Sequence, residues 1–109
     1  MDHVLFVAKI AESEKARYIE HHKRMSARFL KEKKVFGELR EFIWLHGDLA
    51  IVYLMVENFQ SFMEKSVKTK VYQEWVERFK PIVVSAWEQP EMIYDFEKQF
   101  VQSLEKEIQ

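Results

Sequence analysis

The chain has 109 residues, 17 of them basic and 18 acidic, for a formal charge of -1, with 48% apolar residues and no cysteine. That length suits one globular domain and is too short for two well-filled cores. The mixed charges leave no basic stripe for nucleic acid, the absent cysteines leave no disulfide or thiolate chemistry, and no apolar run reaches the length of a membrane span. Residues 4–10 are interrupted by Lys9 and lack the basic lead of a signal peptide, so cytoplasmic residence is the expectation.

Residues 3–10 alternate in a short β-prone run, and Ala11-Glu12-Ser13 forms a turn with Ser13 placed to cap a helix. Helical spacing follows over residues 14–36, with Tyr18, Ile19, His22, Met25, Ser26, Phe29 and Leu30 on one side, until Gly37 ends it. Residues 39–46 and 49–57 are rich in β-branched and aromatic side chains, and Gly47-Asp48 between them supplies a tight hairpin. Asn58 or Ser61 is placed to cap a second helical stretch, which carries Trp75 and Phe79, with a break near Thr69, and ends before Pro81. After a loop at Glu88-Gln89-Pro90, residues 92–96 read as a short closing strand and residues 102–109 as a fraying terminal helix. The order β-α-β-β-α-β is the ferredoxin-like split motif with an antiparallel sheet, an α+β fold. Residues 1–109 form one domain, of which about 98–109 is a polar C-terminal extension.

In the second strand Leu39, Glu41, Ile43 and Leu45 alternate with Phe42 and Trp44, and in the third Leu49, Ile51, Tyr53 and Met55 alternate with Ala50, Val52, Leu54 and Val56. Both sheet faces are therefore apolar, and the helices of this architecture cover only one. Nine Phe, four Tyr and three Trp add to the surface that must be hidden. A homodimer packed through the second sheet face closes the structure most simply; the other solution is that the C-terminal tail covers it.

Of the four histidines, His22 alone sits centrally on the stripe that faces the sheet, between Tyr18, Met25 and Phe29. An imidazole there is suited to moving protons near neutral pH, although its position equally fits a core histidine satisfied by one hydrogen bond. Adjacent His21 projects about 100° away, without the i, i+4 spacing of a helical metal site, so no metal is expected. Glu41 intrudes on an apolar strand face, which is costly without a partner; in a cavity it binds ligand hydroxyls or acts as a second acid/base group, and at the strand edge it reaches solvent. Trp75, with Tyr72, Val76 and Phe79 around it, reads first as core packing, as do Trp44 and Trp87. An indole beside a proton-transferring histidine is also what a sugar site requires. No Gly-rich phosphate loop, paired Ser nucleophile or Schiff-base lysine pattern is present.

Along nearly the whole chain, Phe6-Val7, the Tyr18-x-x-x-His22 spacing, Gly37, Met55-Val56-Glu57, Gln73-x-Trp75 and the segment from Tyr94 to Phe96 resemble the L-rhamnose mutarotases, small dimeric α/β-barrel proteins. The resemblance implies an isomerase that interconverts the α and β anomers of L-rhamnose or a related deoxy sugar. It gives His22 as proton donor and Tyr18 and Trp75 as sugar contacts, with positions 41 and 76 also at the sugar and no cofactor or metal. The chain differs from the family pattern by Glu41 where a tyrosine is usual and Val76 where a second tryptophan is usual. Residues Lys23-Arg24-Met25-Ser26 also lack the family's Pro and Trp. These differences shift the expected preference toward another deoxy sugar, with Glu41 accepting hydrogen bonds from hydroxyls. The same barrel supports other functions. The alternatives are a monooxygenase or haem-binding protein using His22, and a non-catalytic dimer that binds a small metabolite.

Overall fold

Three alternating apolar segments pair into an antiparallel sheet of order β1-β3-β2 in the computed structural model, which describes residues 1–108. The strands are β1 (Asp2–Lys9), β2 (Glu38–His46) and β3 (Leu49–Val56). Gly47, at φ 61°, turns β2 into β3, a left-handed conformation that glycine adopts without a Cβ penalty. Ala8, Ala50, Leu54 and Val56 are buried on one face, and all the helices that pack do so on this side. On the opposite face Leu5, Phe42 and Trp44 remain exposed.

Helical spacing over residues 14–36 yields two helices rather than the single one expected, α1 (Lys15–Lys23) and α2 (Ala27–Val35). The break has a local cause: Ser26 adopts an extended conformation and its Oγ accepts from the Phe29 N–H at 3.1 Å, so its side chain starts a new helix instead of continuing the old one. Ser13 does not cap α1; residues Glu12–Glu14 form a single 3-10 turn in that place, with no side-chain cap. With the stripe divided, Tyr18 and Phe29 are buried, whereas Ile19 and Leu30, expected beside them, are exposed.

The second crossover also consists of two helices, α3 (Phe59–Ser66) and α4 (Lys70–Phe79). Asn58 caps α3 by accepting from the Ser61 N–H, and Thr69, at the expected break, caps α4 by accepting from the Tyr72 N–H. Phe79 and Tyr18 meet edge-on, with Ile10, Ala50 and Ile82 around them, to form one core cluster; Leu54, Val56 and Phe62 form a second.

The closing strand differs most from expectation. Residues 92–96 form no strand, and Met92, Ile93 and Tyr94 stand exposed. The edge of β1 is already taken by the segment just after Pro81, through isolated bridges Ile10 to Val83 and Val7 to Glu88. Val84 N–H donates to the Lys9 carbonyl at 2.9 Å, and Val7 and Glu88 exchange hydrogen bonds of 2.8 and 2.9 Å. Residues 83–88 thus occupy the fourth position of the ferredoxin-like sheet without forming a regular strand. The β1 edge is therefore closed to the apolar residues that come later.

The expected terminal helix begins earlier than residue 102: α5 spans Phe96–Ile108 and so takes in the end of the expected closing strand. Phe96, Phe100, Leu104 and Ile108 recur every fourth residue on it, and all are exposed. Gln109, the end of the expected polar stretch, lies outside the described residues. Because α5 buries no side chain, the radius of gyration is 17.0 Å, against about 13 Å for a compact chain of 100 residues. The tail does not cover the outer sheet face. No described helix is long and apolar enough to cross a membrane.

Candidate active site

Between the helices and the inner sheet face lies a cavity of about 510 Å³. All five residues singled out in the sequence line it: Tyr18 and His22 from α1, Glu41 from β2, and Trp75 and Val76 from α4. Most of its remaining wall is apolar, including Phe6, Phe29, Ile43, Leu54, Phe62 and Phe79.

His22 stands in a box of rings. Its imidazole centroid lies 4.6 Å from that of Tyr18, 5.2 Å from Phe79 and 5.2 Å from Trp75, the last at a near-perpendicular angle of 89°. Its Nδ1 is 2.8 Å from the carbonyl oxygen of Tyr18, one helical turn earlier. A carbonyl only accepts, so Nδ1 carries the hydrogen and Nε2 is the nitrogen left for chemistry. Burial lowers the His22 pKa below its usual 6.5, and the Tyr18 hydrogen bond and Glu41 charge only partly offset it. At neutral pH the ring is therefore uncharged and is a proton acceptor first. The same enclosure, helped by the negative Glu41, pushes the Tyr18 hydroxyl up to about 12, which keeps it protonated.

Glu41 does not stand alone, and it does not simply reach solvent. Lys33 of α2 places its ammonium 3.0 Å from Glu41 Oε1 and 3.1 Å from Glu38 Oε1. The Lys33 side chain is 16% exposed, Glu38 13% and Glu41 24%, so this is an enclosed cluster with two carboxylates on one cation. The ammonium also sits 5.1 Å from the centroid of the Phe29 ring. Burial works against the charge of Lys33, yet Glu41 and Glu38 outweigh it and hold its pKa above the ordinary lysine range. For Glu38, burial and the like charge of Glu41 prevail over the attraction of Lys33 and raise the carboxyl to about 7.

Glu38 reaches the cavity through a β-bulge. Strict alternation back from Glu41 puts Leu39 on the inner face and Glu38 on the outer one. In the structure Glu38 pairs with Val56 and Arg40 with Met55, so Leu39 is an extra residue and the parity reverses. Glu38 thereby joins the face of buried Val56. Gly37, at φ 107°, leads into this bulge from α2. Sequence periodicity carried no sign of this reversal. For Lys33 a sign existed, because it lies four residues after Phe29 on the same helical stripe. Tyr72, three residues before Trp75, also lines the cavity, and burial raises its pKa. Trp87 is on the cavity wall and 42% exposed, not a core residue. Among the described residues no group of three or more His, Cys, Asp or Glu could hold a metal ion.

Neither a protein-family model nor a curated protein matches the chain. Solved structures do. An L-rhamnose mutarotase from Formosa agariphila is similar at a TM-score of 0.74 and 12% identity, over 88% of this chain and 99% of that one. A putative antibiotic biosynthesis monooxygenase from Nitrosomonas europaea is similar at 0.62 and 10% identity, over 84% and 89%. The tetracenomycin F2 cyclase of Streptomyces glaucescens, a type-II polyketide cyclase, is similar at 0.57 and 18% identity, over 88% and 97%. At these identities the likeness is one of fold. This chain has the α+β, ferredoxin-like fold of the dimeric α/β-barrel proteins.

Proposed function

We propose that the cavity is an acid/base site and that its reaction is the exchange of α and β anomers of a free aldose, L-rhamnose or a related deoxy sugar. The observation that carries this reading is His22: a neutral imidazole with Nδ1 tied to a backbone carbonyl, enclosed by Tyr18, Trp75 and Phe79. Anomer exchange needs proton movement at two oxygens and nothing else. Nε2 of His22 removes the proton from the anomeric hydroxyl while an acid protonates the ring oxygen; the bond from the anomeric carbon to the ring oxygen then breaks and leaves an open-chain aldehyde. Rotation and reclosure give the other anomer, and both protons return. The Trp75 indole offers an apolar face to sugar C–H groups, and the Glu41 carboxylate accepts from hydroxyls. No metal or cofactor takes part in this scheme.

Saturation-transfer NMR of L-rhamnose and L-fucose tests it. Wild type is expected to accelerate exchange and His22→Ala to lose it; equal, uncatalysed exchange with both proteins rejects the reading.

A second reading has its own support. The wall is dominated by aromatic and aliphatic side chains over a volume of about 510 Å³, which suits a larger carbonyl-bearing aromatic compound. The similar cyclase and monooxygenase folds are compatible with it. His22 would then remove a proton next to a carbonyl. Saturable binding of flat phenolic ketones, with no response to aldoses, would favour this reading. In either case we propose a homodimer closed through the outer sheet face, where Phe42 and Trp44 are 46% and 52% exposed, and residence in the cytoplasm.

A further inference from the structure

The aldose reading leaves one role unfilled, the acid that protonates the ring oxygen. We propose that Glu38 is this second proton-carrying group, held in place by Lys33 and Glu41. The inference rests on the aldose reading for its substrate and on the cluster for its chemistry.

Three features single out Glu38. The bulge at Leu39 turns it onto the cavity face. One ammonium is shared between two enclosed carboxylates, and like charges that close in an apolar wall are relieved when one carboxyl keeps a proton. Of the two, Glu38 is the more enclosed, and its Oε1, although 3.1 Å from Lys33 Nζ, is buried without a well-aligned hydrogen bond. The contact with Lys33 positions the carboxyl by charge at the cavity wall. Its raised pKa, about 7, agrees with a retained proton. Lys33 on α2 and Glu41 on its own strand act on it directly; the other titratable groups lining the cavity are His22 and Tyr18 on α1, Tyr72 on α4 and Lys80 just after α4, and the Glu57 carboxylate lies near Gly37.

The step balances without any outside reagent. Nε2 of His22 takes the proton of the anomeric hydroxyl as Glu38 gives its proton to the ring oxygen. The ring C–O bond breaks with its electron pair on that oxygen, and the anomeric C=O forms. After rotation about the adjacent C–C bond, the Glu38 carboxylate takes back its proton as the ring closes, and the imidazolium returns the other. Nothing is oxidised or reduced. Glu38 must begin protonated and His22 neutral, so the rate follows a narrow bell in pH, with macroscopic limbs that belong to the coupled pair.

Two measurements on the full chain test this together: a pH titration of side-chain carboxyls by 13C NMR after glutamate labelling, and anomer exchange of L-rhamnose and L-fucose against pH. One carboxyl resonance, missing in Glu38→Gln, is expected to titrate near neutrality, well apart from surface carboxylates. Glu38→Gln is expected to lower kcat by about tenfold to a thousandfold and to abolish the alkaline limb. Glu41→Gln should keep that limb but move it downward, as a like charge is lost, and Lys33→Met should move it upward, as loss of the cation favours the protonated carboxyl. Glu38 is overturned if its resonance titrates with the surface carboxylates, or if Glu38→Gln keeps wild-type kcat and the alkaline limb. Should wild type exchange no aldose, the aldose reading falls alone. The resonance then decides for Glu38, neutral titration upholding a proton-carrying site and ordinary titration rejecting it.

Discussion

Substitution of His22 separates the two roles its position allows. A core histidine replaced by Gln would cost stability and little else, whereas a proton-transferring one should lose about 10²-fold or more in rate while the fold persists. His22→Gln is expected to give the second result in anomer-exchange NMR, with its circular dichroism unchanged. The pH dependence of stability provides another check, with opposite signs at two groups. His22 has a folded pKa below 6.5, so its contribution is complete above that value and is lost as pH falls through the folded pKa. Glu38 has a folded pKa raised from 4.5 to about 7, so its contribution is complete below 4.5 and is lost as pH rises through about 7. Glu38→Gln should therefore resist urea better than wild type at pH 8, by on the order of 1–3 kcal/mol, and should show no such advantage at pH 4.5. At this scale the sequence was legible wherever a helix carried the residue: Tyr18, His22, Trp75 and Val76 share one cavity, as their 3.6-residue spacing allows. Lys33 shares that spacing with Phe29 but did not stand out, because a lysine four residues after an apolar position on a helix is ordinary in sequence.

Among the elements, the turn into β2 controls the cluster most directly. Gly37 has φ 107°, and a Cβ built there would meet Glu57 Cβ at 3.4 Å. Gly37→Ala is expected to destabilise by about 1–3 kcal/mol in urea unfolding and to displace the bulge that aims Glu38. Gly47, at φ 61° with nothing within 4 Å, should tolerate alanine at smaller cost. Removal of the α4 cap by Thr69→Ala should cost about 1 kcal/mol and loosen the helix that presents Trp75. The first three strands, the hairpin, a cap at Asn58 and the break near Thr69 followed from local chemistry that a sequence displays. The split at Ser26, the bulge at Leu39 and the missing closing strand did not. The first two turn on one residue choosing a side-chain or unpaired conformation over the regular one. The third depends on competition for the β1 edge, which residues 83–88 win because they follow α4 directly.

For the whole molecule, a formal charge of -1 offers little mutual repulsion, while Phe42, Trp44 and the Phe96, Phe100, Leu104 and Ile108 row of α5 remain uncovered. Trp44→Asp is expected to convert a dimer into a monomer in sedimentation equilibrium, because a carboxylate buried in such a face has no partner. Both apolar sheet faces were visible from strand alternation; the arm formed by α5 was not, since its apolar residues begin within a segment that reads as a strand. The position of the cavity on the inner face has a further consequence. His22, Glu38 and Trp75 line a cavity on the inner sheet face of their own chain, with the sheet standing between that site and the proposed contact. Ligand should fill the two halves of a dimer independently, with a Hill slope of one. The Trp44→Asp monomer should work at an unchanged rate per chain, so that assembly protects the apolar surface while catalysis proceeds without it.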